Sequence, residues 1–171
     1  MLKSINNNGI ITIVNLKRYF VMAFETTTRE RVNLELHNQL IKKAEELIPV
    51  LKERSEAANN NRRIPKETIQ DFKDAGFFKI LQPKQYGGFE LDPHTFSEVQ
   101  LRVAQGCMST AWVLGVVGIH PFQLALYDDK AQQEIWGEDS DTLVSSSYAP
   151  MAQVTSVEGG FRVSGHWQWS S

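Results

Sequence analysis

Residues 110–120, TAWVLGVVGIH, are apolar on almost every side. A helix of this composition has no face that favours water, so it is expected to lie buried among other helices. The rest of the chain must therefore supply those helices. At 171 residues, the chain is long enough for one domain, or for one domain and part of another.

A long amphipathic helix is predicted from residue 29 to about residue 58. Its apolar positions recur at helical spacing, and they are Leu36, Leu40, Ala44, Leu47 and Leu51. Pro49 lies inside this run, so we expect a kink or a break there. Pro65 suits the first turn of a second helix, which we expect to end at Gly76.

Further helices follow a loop at residues 84–93, which carries two adjacent glycines and a proline. Asp92 is predicted to cap a third helix that ends near Gly106. Ser109 is predicted to cap the apolar helix of residues 110–120, which His120 would end. Segments 121–127 and 129–139 are expected to add more helical turns.

The sequence pattern changes after Asp141. Four short segments are rich in β-branched and aromatic residues, and we expect them to be strands: residues 142–149, 153–157, 161–165 and 166–171. Residues 157–161, VEGGF, are typical of a tight turn between antiparallel strands. The predicted fold is therefore a mainly α N-terminal helical domain followed by the start of a β-sheet or β-barrel domain.

Three regions follow from this reading. We expect residues 1–28 to be an extension, either disordered or upstream of a true start at Met22. Residues 29–141 form the helical domain, and residues 142–171 are the first strands of an incomplete β-domain.

Composition excludes several classes of function. The formal charge is −2 and charges of both signs are mixed, which argues against a nucleic-acid partner. Cys107 is the single cysteine, so an internal disulfide is excluded and a reducing, cytoplasmic location is expected. Apolar segments 9–14 and 19–24 are separated by charged residues and are too short to span a membrane. The scattered histidines have no metal-ligand spacing, and no glycine-rich dinucleotide or phosphate-binding motif is present.

Three polar features are candidates for a site, and each has a plain structural alternative. His120 at the end of an apolar helix can be a hydrogen-bonded core residue. Ser145, Ser146 and Ser147 can form a polar strand edge. The alternation around Trp167 and Trp169 can belong to an ordinary amphipathic strand. Composition and periodicity alone indicate only a soluble α+β fragment.

The order of five motifs is more informative: GFFKILQPKQYGG at 76–88, CMSTAW at 107–112, EIWGED at 134–139, SSSYAPM at 145–151 and SGHWQWSS at 164–171. From about Ala57 to Ser171 the chain resembles the N-terminal part of the acyl-CoA dehydrogenase superfamily. It is more closely similar to the oxygenase components of two-component flavin-dependent aromatic monooxygenases. These include the p-hydroxyphenylacetate 3-hydroxylase and 3-hydroxy-seco-steroid hydroxylase types.

This resemblance implies an enzyme that uses reduced flavin, FMNH2 or FADH2, and O2. A C4a-hydroperoxyflavin would ortho-hydroxylate a phenolic substrate, without a metal. A separate flavin reductase would supply the reduced flavin, and the complete oxygenase would be a homotetramer.

The resemblance also assigns roles to residues. His120 and Ser146 match positions that contact the substrate hydroxyl, and Ser171 matches the serine that hydrogen-bonds near flavin N5. Strand alternation would turn Ser145 and Ser147 away from the site. The weaker candidates for lining the flavin pocket are Trp112, Tyr148, Ala149 and Trp169.

Two alternatives remain open. An acyl-CoA dehydrogenase-like enzyme is less favoured, because the Thr/Ser-Glu-Pro and Gly-Ser-Asp segments typical of those enzymes are missing here. A non-catalytic truncated remnant is the other alternative. Most of the β-domain and the C-terminal helical bundle of the family have no counterpart in the chain, so we expect the isolated chain to be inactive.

Overall fold

The computed structural model describes residues 3–5, 11–13, 16–149 and 151–167, with side chains from residue 30 onward. The chain divides into two compact units, Met1–Gln39 and Leu40–Ser171. In the first unit, strand β1 (Lys3–Ile5) pairs antiparallel with β2 (Ile11–Ile13). Everything that bears on the candidate site lies in the second unit.

Five helices account for most of the described residues. They are α1 (Leu16–Asn60), α2 (Lys66–Ala75), α3 (Pro93–Gly106), α4 (Met108–Leu124) and α5 (Asp129–Trp136). Short 3₁₀ turns at Phe77–Lys79 and Lys84–Tyr86 lie between α2 and α3. A hairpin of β3 (Gln153–Val157) and β4 (Gly160–Ser164) follows α5. A mainly helical chain followed by β structure is the predicted order.

Helix α1 differs from its prediction at two points. It begins at Leu16 rather than at Arg29, and it continues past Pro49 without a break. A proline removes one backbone hydrogen bond, and packing on both sides of it can hold the helix together. Ala44 and Leu51, which flank Pro49, are 0% and 1% exposed. Residues 1–28 were expected to be disordered or to lie upstream of the true start of the protein. The described residues in this range are strand and helix. The natural start stays a prediction.

Two helix ends match their predictions. Gly76 ends α2 in the left-handed conformation, with φ of 83°, which glycine adopts without steric cost. The Asp92 carboxylate caps α3 by accepting a hydrogen bond from the Thr95 backbone N–H at 3.0 Å.

Helix α4 was predicted incorrectly at both ends. Its N-cap is Cys107, so Ser109 lies inside the helix rather than capping it. His120 does not end the helix, which continues through Pro121 to Leu124. Packing explains this continuation, since His120, Pro121 and Leu124 are all buried. The helix is also less enclosed than expected, because Trp112 is 71% exposed.

The core of the second unit joins α1, α2, α3 and α4. Its most deeply buried large side chains are Leu40, Leu51, Phe72, Phe77, Ile80, Val99, Val103 and Leu114. Helices α3 and α4 pack closely at Gly118, where a Cβ atom would lie 2.6 Å from the Phe96 ring. This glycine therefore sets how near the His120-bearing helix approaches α3.

We expect Gly118→Ala to lower the free energy of unfolding by about 1–3 kcal/mol, because the added methyl group overpacks the contact with Phe96. Urea unfolding of the chain measures this change. Gly160→Ala is the matched control, since a Cβ at Gly160 meets nothing within 4 Å. Equal stability of the two variants would show that the α3–α4 contact tolerates a larger separation.

The β region is smaller than predicted. Val157 and Gly160 are opposite each other at the turn of the hairpin, as the VEGGF motif predicted, and Gly159 has φ of 80°. Residues 142–149 are not a strand, because no described segment pairs with them. Every described residue of β3 and β4 is exposed. The last predicted strand falls largely on residues outside the described part.

Within the described residues, no helix combines the length and apolarity that crossing a membrane requires.

Candidate active site

His120 and Ser146 lie next to each other in the structure. The His120 Nε2 atom is 3.4 Å from the Ser146 hydroxyl oxygen. His120 comes from α4 and is 2% exposed, whereas Ser146 comes from the segment after α5 and is half-buried. The resemblance assigned both residues to one substrate hydroxyl, and the structure places them together although 26 positions separate them in the chain.

The segment that carries Ser146 is anchored to the helical core at its start. Gln82, which is 2% exposed, donates from Nε2 to the Ser140 carbonyl at 2.9 Å. The Lys79 ammonium forms an ion pair with the Asp141 carboxylate at 2.6 Å. The Trp136 indole donates to the Thr142 carbonyl at 3.3 Å. These contacts fix where the chain leaves α5 and so direct residues 143–149 toward His120.

The Lys79–Asp141 pair makes this anchor sensitive to pH. A hydrogen bond from Lys79, supported by its positive charge, holds the pKa of the Asp141 carboxyl below its ordinary value. A depressed pKa means that the charged form stabilises the fold above the unfolded pKa, and that this contribution is lost as pH falls through the folded pKa.

We therefore expect wild-type stability to fall more steeply than that of Asp141→Asn as the pH drops below ~4. Urea midpoints of both proteins across that range measure the difference. The effect should be small, because the Asp141 side chain is 59% exposed. Glu138→Gln, a change at a nearby exposed carboxylate, serves as control. Parallel pH curves for wild type and Asp141→Asn would contradict the anchoring role.

A second pair of contacts extends from the other side of His120. The His120 Nδ1 atom is 3.0 Å from the Gln123 amide oxygen. The Gln123 amide nitrogen donates to the Tyr148 hydroxyl oxygen at 2.7 Å. His120, Gln123, Tyr148 and Ser146 thus form a connected polar group between α4 and residues 146–148.

The other predicted site residues fall into three groups. Trp112 is on α4 about 12 Å along the helix axis from His120, and it lines an open groove with Arg62, Arg63 and Met108. Ala149 is half-buried beside Tyr148. Trp169 and Ser171 lie outside the described residues.

Strand alternation around Ser146 is a wrong prediction. Ser145 is exposed, but Ser147 is half-buried like Ser146. The segment is not paired in a sheet, so nothing imposes a two-residue period on its side chains.

Sequence reasoning missed Gln123 and Lys79. Gln123 follows His120 by three positions on a helix, a spacing at which side chains are neighbours, so the contact was open to prediction. Lys79 carries no comparable signal, since its partners lie 61 and 62 positions away.

The arrangement provides a buried imidazole and a hydroxyl that face each other. Imidazole is the side chain that most often transfers protons near neutral pH, and a hydroxyl both donates and accepts hydrogen bonds. Among the described residues, no group of three or more acidic, histidine or cysteine side chains is placed to hold a metal ion.

Comparison with known proteins identifies a family. Residues 35–139 match the family model described as acyl-CoA dehydrogenase, N-terminal domain. Over 125 residues the chain is 49% identical to the flavin-dependent monooxygenase oxygenase subunit HsaA of Mycobacterium tuberculosis, covering 73% of this chain and 32% of that subunit. The chain is also 36% identical over 132 residues to the p-hydroxyphenylacetate 3-hydroxylase oxygenase component of Acinetobacter baumannii, covering 77% of this chain and 31% of that protein.

Solved structures agree with these sequence relationships. The crystal structure of the M. tuberculosis HsaA monooxygenase aligns with a TM-score of 0.76 and 45% identity, over 79% of this chain and 37% of that one. XiaF from Streptomyces sp., solved in complex with FADH2 and glycerol, aligns with a TM-score of 0.75 and 25% identity, over 81% of this chain and 35% of that one. The chain thus spans about a third of the length of the proteins it matches. The resemblance inferred from the five motifs is confirmed.

Proposed function

Because the chain belongs to the family of acyl-CoA dehydrogenase N-terminal domains, we propose that it is the N-terminal part of a flavin-dependent monooxygenase oxygenase subunit. The subunit would ortho-hydroxylate a phenol. The observation that carries this proposal is the contact between His120 Nε2 and Ser146 Oγ at 3.4 Å.

The contact suits a phenol oxygen. Two polar atoms this far apart can both lie within hydrogen-bond distance of a single oxygen placed beside them. His120 accepts the phenol proton at Nε2, and the Ser146 hydroxyl donates to the same oxygen. Loss of the proton enriches electron density at the ortho carbon, so the ring attacks an electrophilic oxygen more readily. Burial of His120 keeps water away from this proton transfer.

Reduced flavin is the implied co-substrate, and the described candidates fit it in part. Trp112 and Tyr148 are 71% and 75% exposed, so their aromatic surfaces are open to a flat ring. With Ala149 they would line the flavin pocket, together with Trp169 and Ser171; Ser171 would hydrogen-bond near N5. When bound, reduced flavin supplies the two electrons by which one oxygen atom of O2 enters the phenol and the other becomes water. The proposed chemistry uses no metal ion.

The proposal extends to organisation and partners. Residues 29–141 form the helical domain and residues 142–171 begin the β-domain of the subunit. A separate flavin reductase delivers the reduced flavin, and the complete subunit assembles as a homotetramer in the cytoplasm. The names of the relatives support a two-component system, since both are called an oxygenase subunit or component.

A chimera tests this function. The chain replaces the matching segment of the M. tuberculosis HsaA subunit, which supplies the remaining two-thirds of the protein. With reduced flavin, O2 and a panel of simple phenols, we expect a catechol product. Oxidation of an acyl-CoA thioester without any catechol would favour the dehydrogenase alternative. A folded chimera active on neither substrate would favour the non-catalytic remnant.

A further inference from the structure

We infer that Gln123 is a positioning residue that fixes which nitrogen of His120 carries the proton, and that Tyr148 holds Gln123 in the orientation this requires. The catalytic consequence rests on the proposed function. The positioning itself can be tested without it.

The first step concerns the His120 ring. A neutral imidazole has one N–H donor and one acceptor nitrogen. The Gln123 amide oxygen, 3.0 Å from Nδ1, is an acceptor only. Nδ1 must therefore carry the hydrogen, which leaves the lone pair on Nε2. That nitrogen faces Ser146, so the base is directed at the position proposed for the phenol.

The second step concerns the Gln123 amide, whose two ends are chemically different. Its NH2 group is directed at the Tyr148 hydroxyl at 2.7 Å. In this arrangement the Tyr148 oxygen accepts from the amide NH2 group, and the amide oxygen lies on the opposite side, toward His120. Tyr148 thus orients the Gln123 amide, and the Gln123 amide in turn orients the His120 imidazole.

The third step concerns the location of the contacts. Pro121 and Leu124 are buried, and they hold the last turn of α4 against the core. Gln123 is half-buried in the same turn, while the Tyr148 ring is 75% exposed. A ring this exposed adds little to the core, so its hydroxyl contact is better explained by orienting Gln123. Tyr148 belongs to the same segment as Ser146. The position of that segment therefore determines both the contact of Ser146 with His120 Nε2 and, through Gln123, the contact with His120 Nδ1.

Nitrogen NMR of the ¹⁵N-histidine-labelled 171-residue chain tests the inference directly, since the two neutral tautomers give distinct ring-nitrogen shifts. We expect His120 to carry its proton on Nδ1. Gln123→Leu should shift the population toward the Nε2–H form, whereas Gln123→Glu, which keeps an acceptor at the same place, should preserve Nδ1–H. Tyr148→Phe should shift the population partly, and the exposed Tyr127→Phe should leave it unchanged.

The same variants in the HsaA chimera give the catalytic consequence. We expect Gln123→Leu to lower hydroxylation roughly three- to tenfold, the effect of one hydrogen bond. Gln123→Glu should restore most of the rate, which a merely space-filling role would not predict.

The two proposals fail separately. An Nε2–H tautomer in the wild-type chain, or a tautomer unchanged by Gln123→Leu, would overturn the positioning role. A chimera that forms no catechol while the NMR result holds would overturn the proposed function and leave the positioning intact.

Discussion

Replacing His120 with alanine is expected to lower phenol hydroxylation in the HsaA chimera by about 100-fold or more, the usual contribution of a positioned acid–base group. The physical reason is the loss of the buried base that faces Ser146 at 3.4 Å. Oxidation of reduced flavin by O2 should continue, with peroxide released in place of the hydroxylated product. Product and peroxide are measured per flavin oxidised.

The control for this prediction is His94→Ala, a change at an exposed histidine on α3. The proposed role of Ser171 provides a second comparison, because Ser171→Ala should waste flavin as peroxide even where His120 is intact. Without a phenol, Ser171→Ala should release peroxide faster than wild type, whereas His120→Ala should release it at the wild-type rate. If both variants released peroxide faster in the absence of a phenol, the division of roles between them would be wrong.

Replacing Phe72 with alanine is expected to lower the free energy of unfolding by about 3–5 kcal/mol, the usual loss for a large aromatic side chain in a core. Phe72 is 0% exposed. Its ring centroid lies 5.5 Å from that of Phe77 and 6.2 Å from that of Phe78. Truncation leaves a cavity between α2 and the following 3₁₀ turn, which also carries Lys79. Urea unfolding of the chain measures the loss.

Phe161→Ala is the matched control, because Phe161 is 71% exposed on the hairpin. We expect that variant to stay within about 0.5 kcal/mol of wild type, as surface changes usually do. Equal losses of unfolding free energy in the two variants would show that the buried Phe72 ring contributes no more to stability than an exposed ring.

Local patterns predicted the order of elements well. The Gly76 and Asp92 helix ends and the VEGGF turn depend on a few neighbouring residues, so the sequence carried enough information to locate them. The C-terminal end of α4 depends on packing, and this explains why the helix continues past His120, where it was expected to stop. The β-strand predicted at residues 142–149 failed for a related reason, since a strand forms only where a partner is available.

The candidate site was partly predictable. His120 and Ser146 were selected from motif resemblance, and the structure brings them together. Gln123 could have been predicted from its spacing of three residues from His120 on a helix. It was overlooked because a single glutamine is neither an acid–base group nor a nucleophile. The anchoring roles of Lys79 and Gln82 could be recognised only from their contacts with Ser140 and Asp141 in the structure.

The sequence alone thus determined what depends on neighbouring residues: the succession of helices before β structure, the helix ends at Gly76 and Asp92, and the motifs that indicate a flavin enzyme. Tertiary structure alone decided how α4 meets the segment after α5. That meeting depends on the Gly118 contact with Phe96, on the anchoring of Ser140 and Asp141, and on the orientation of one amide. Each of these joins residues far apart in the chain, and the free energy that selects them comes from packing and desolvation of the folded molecule rather than from local propensity.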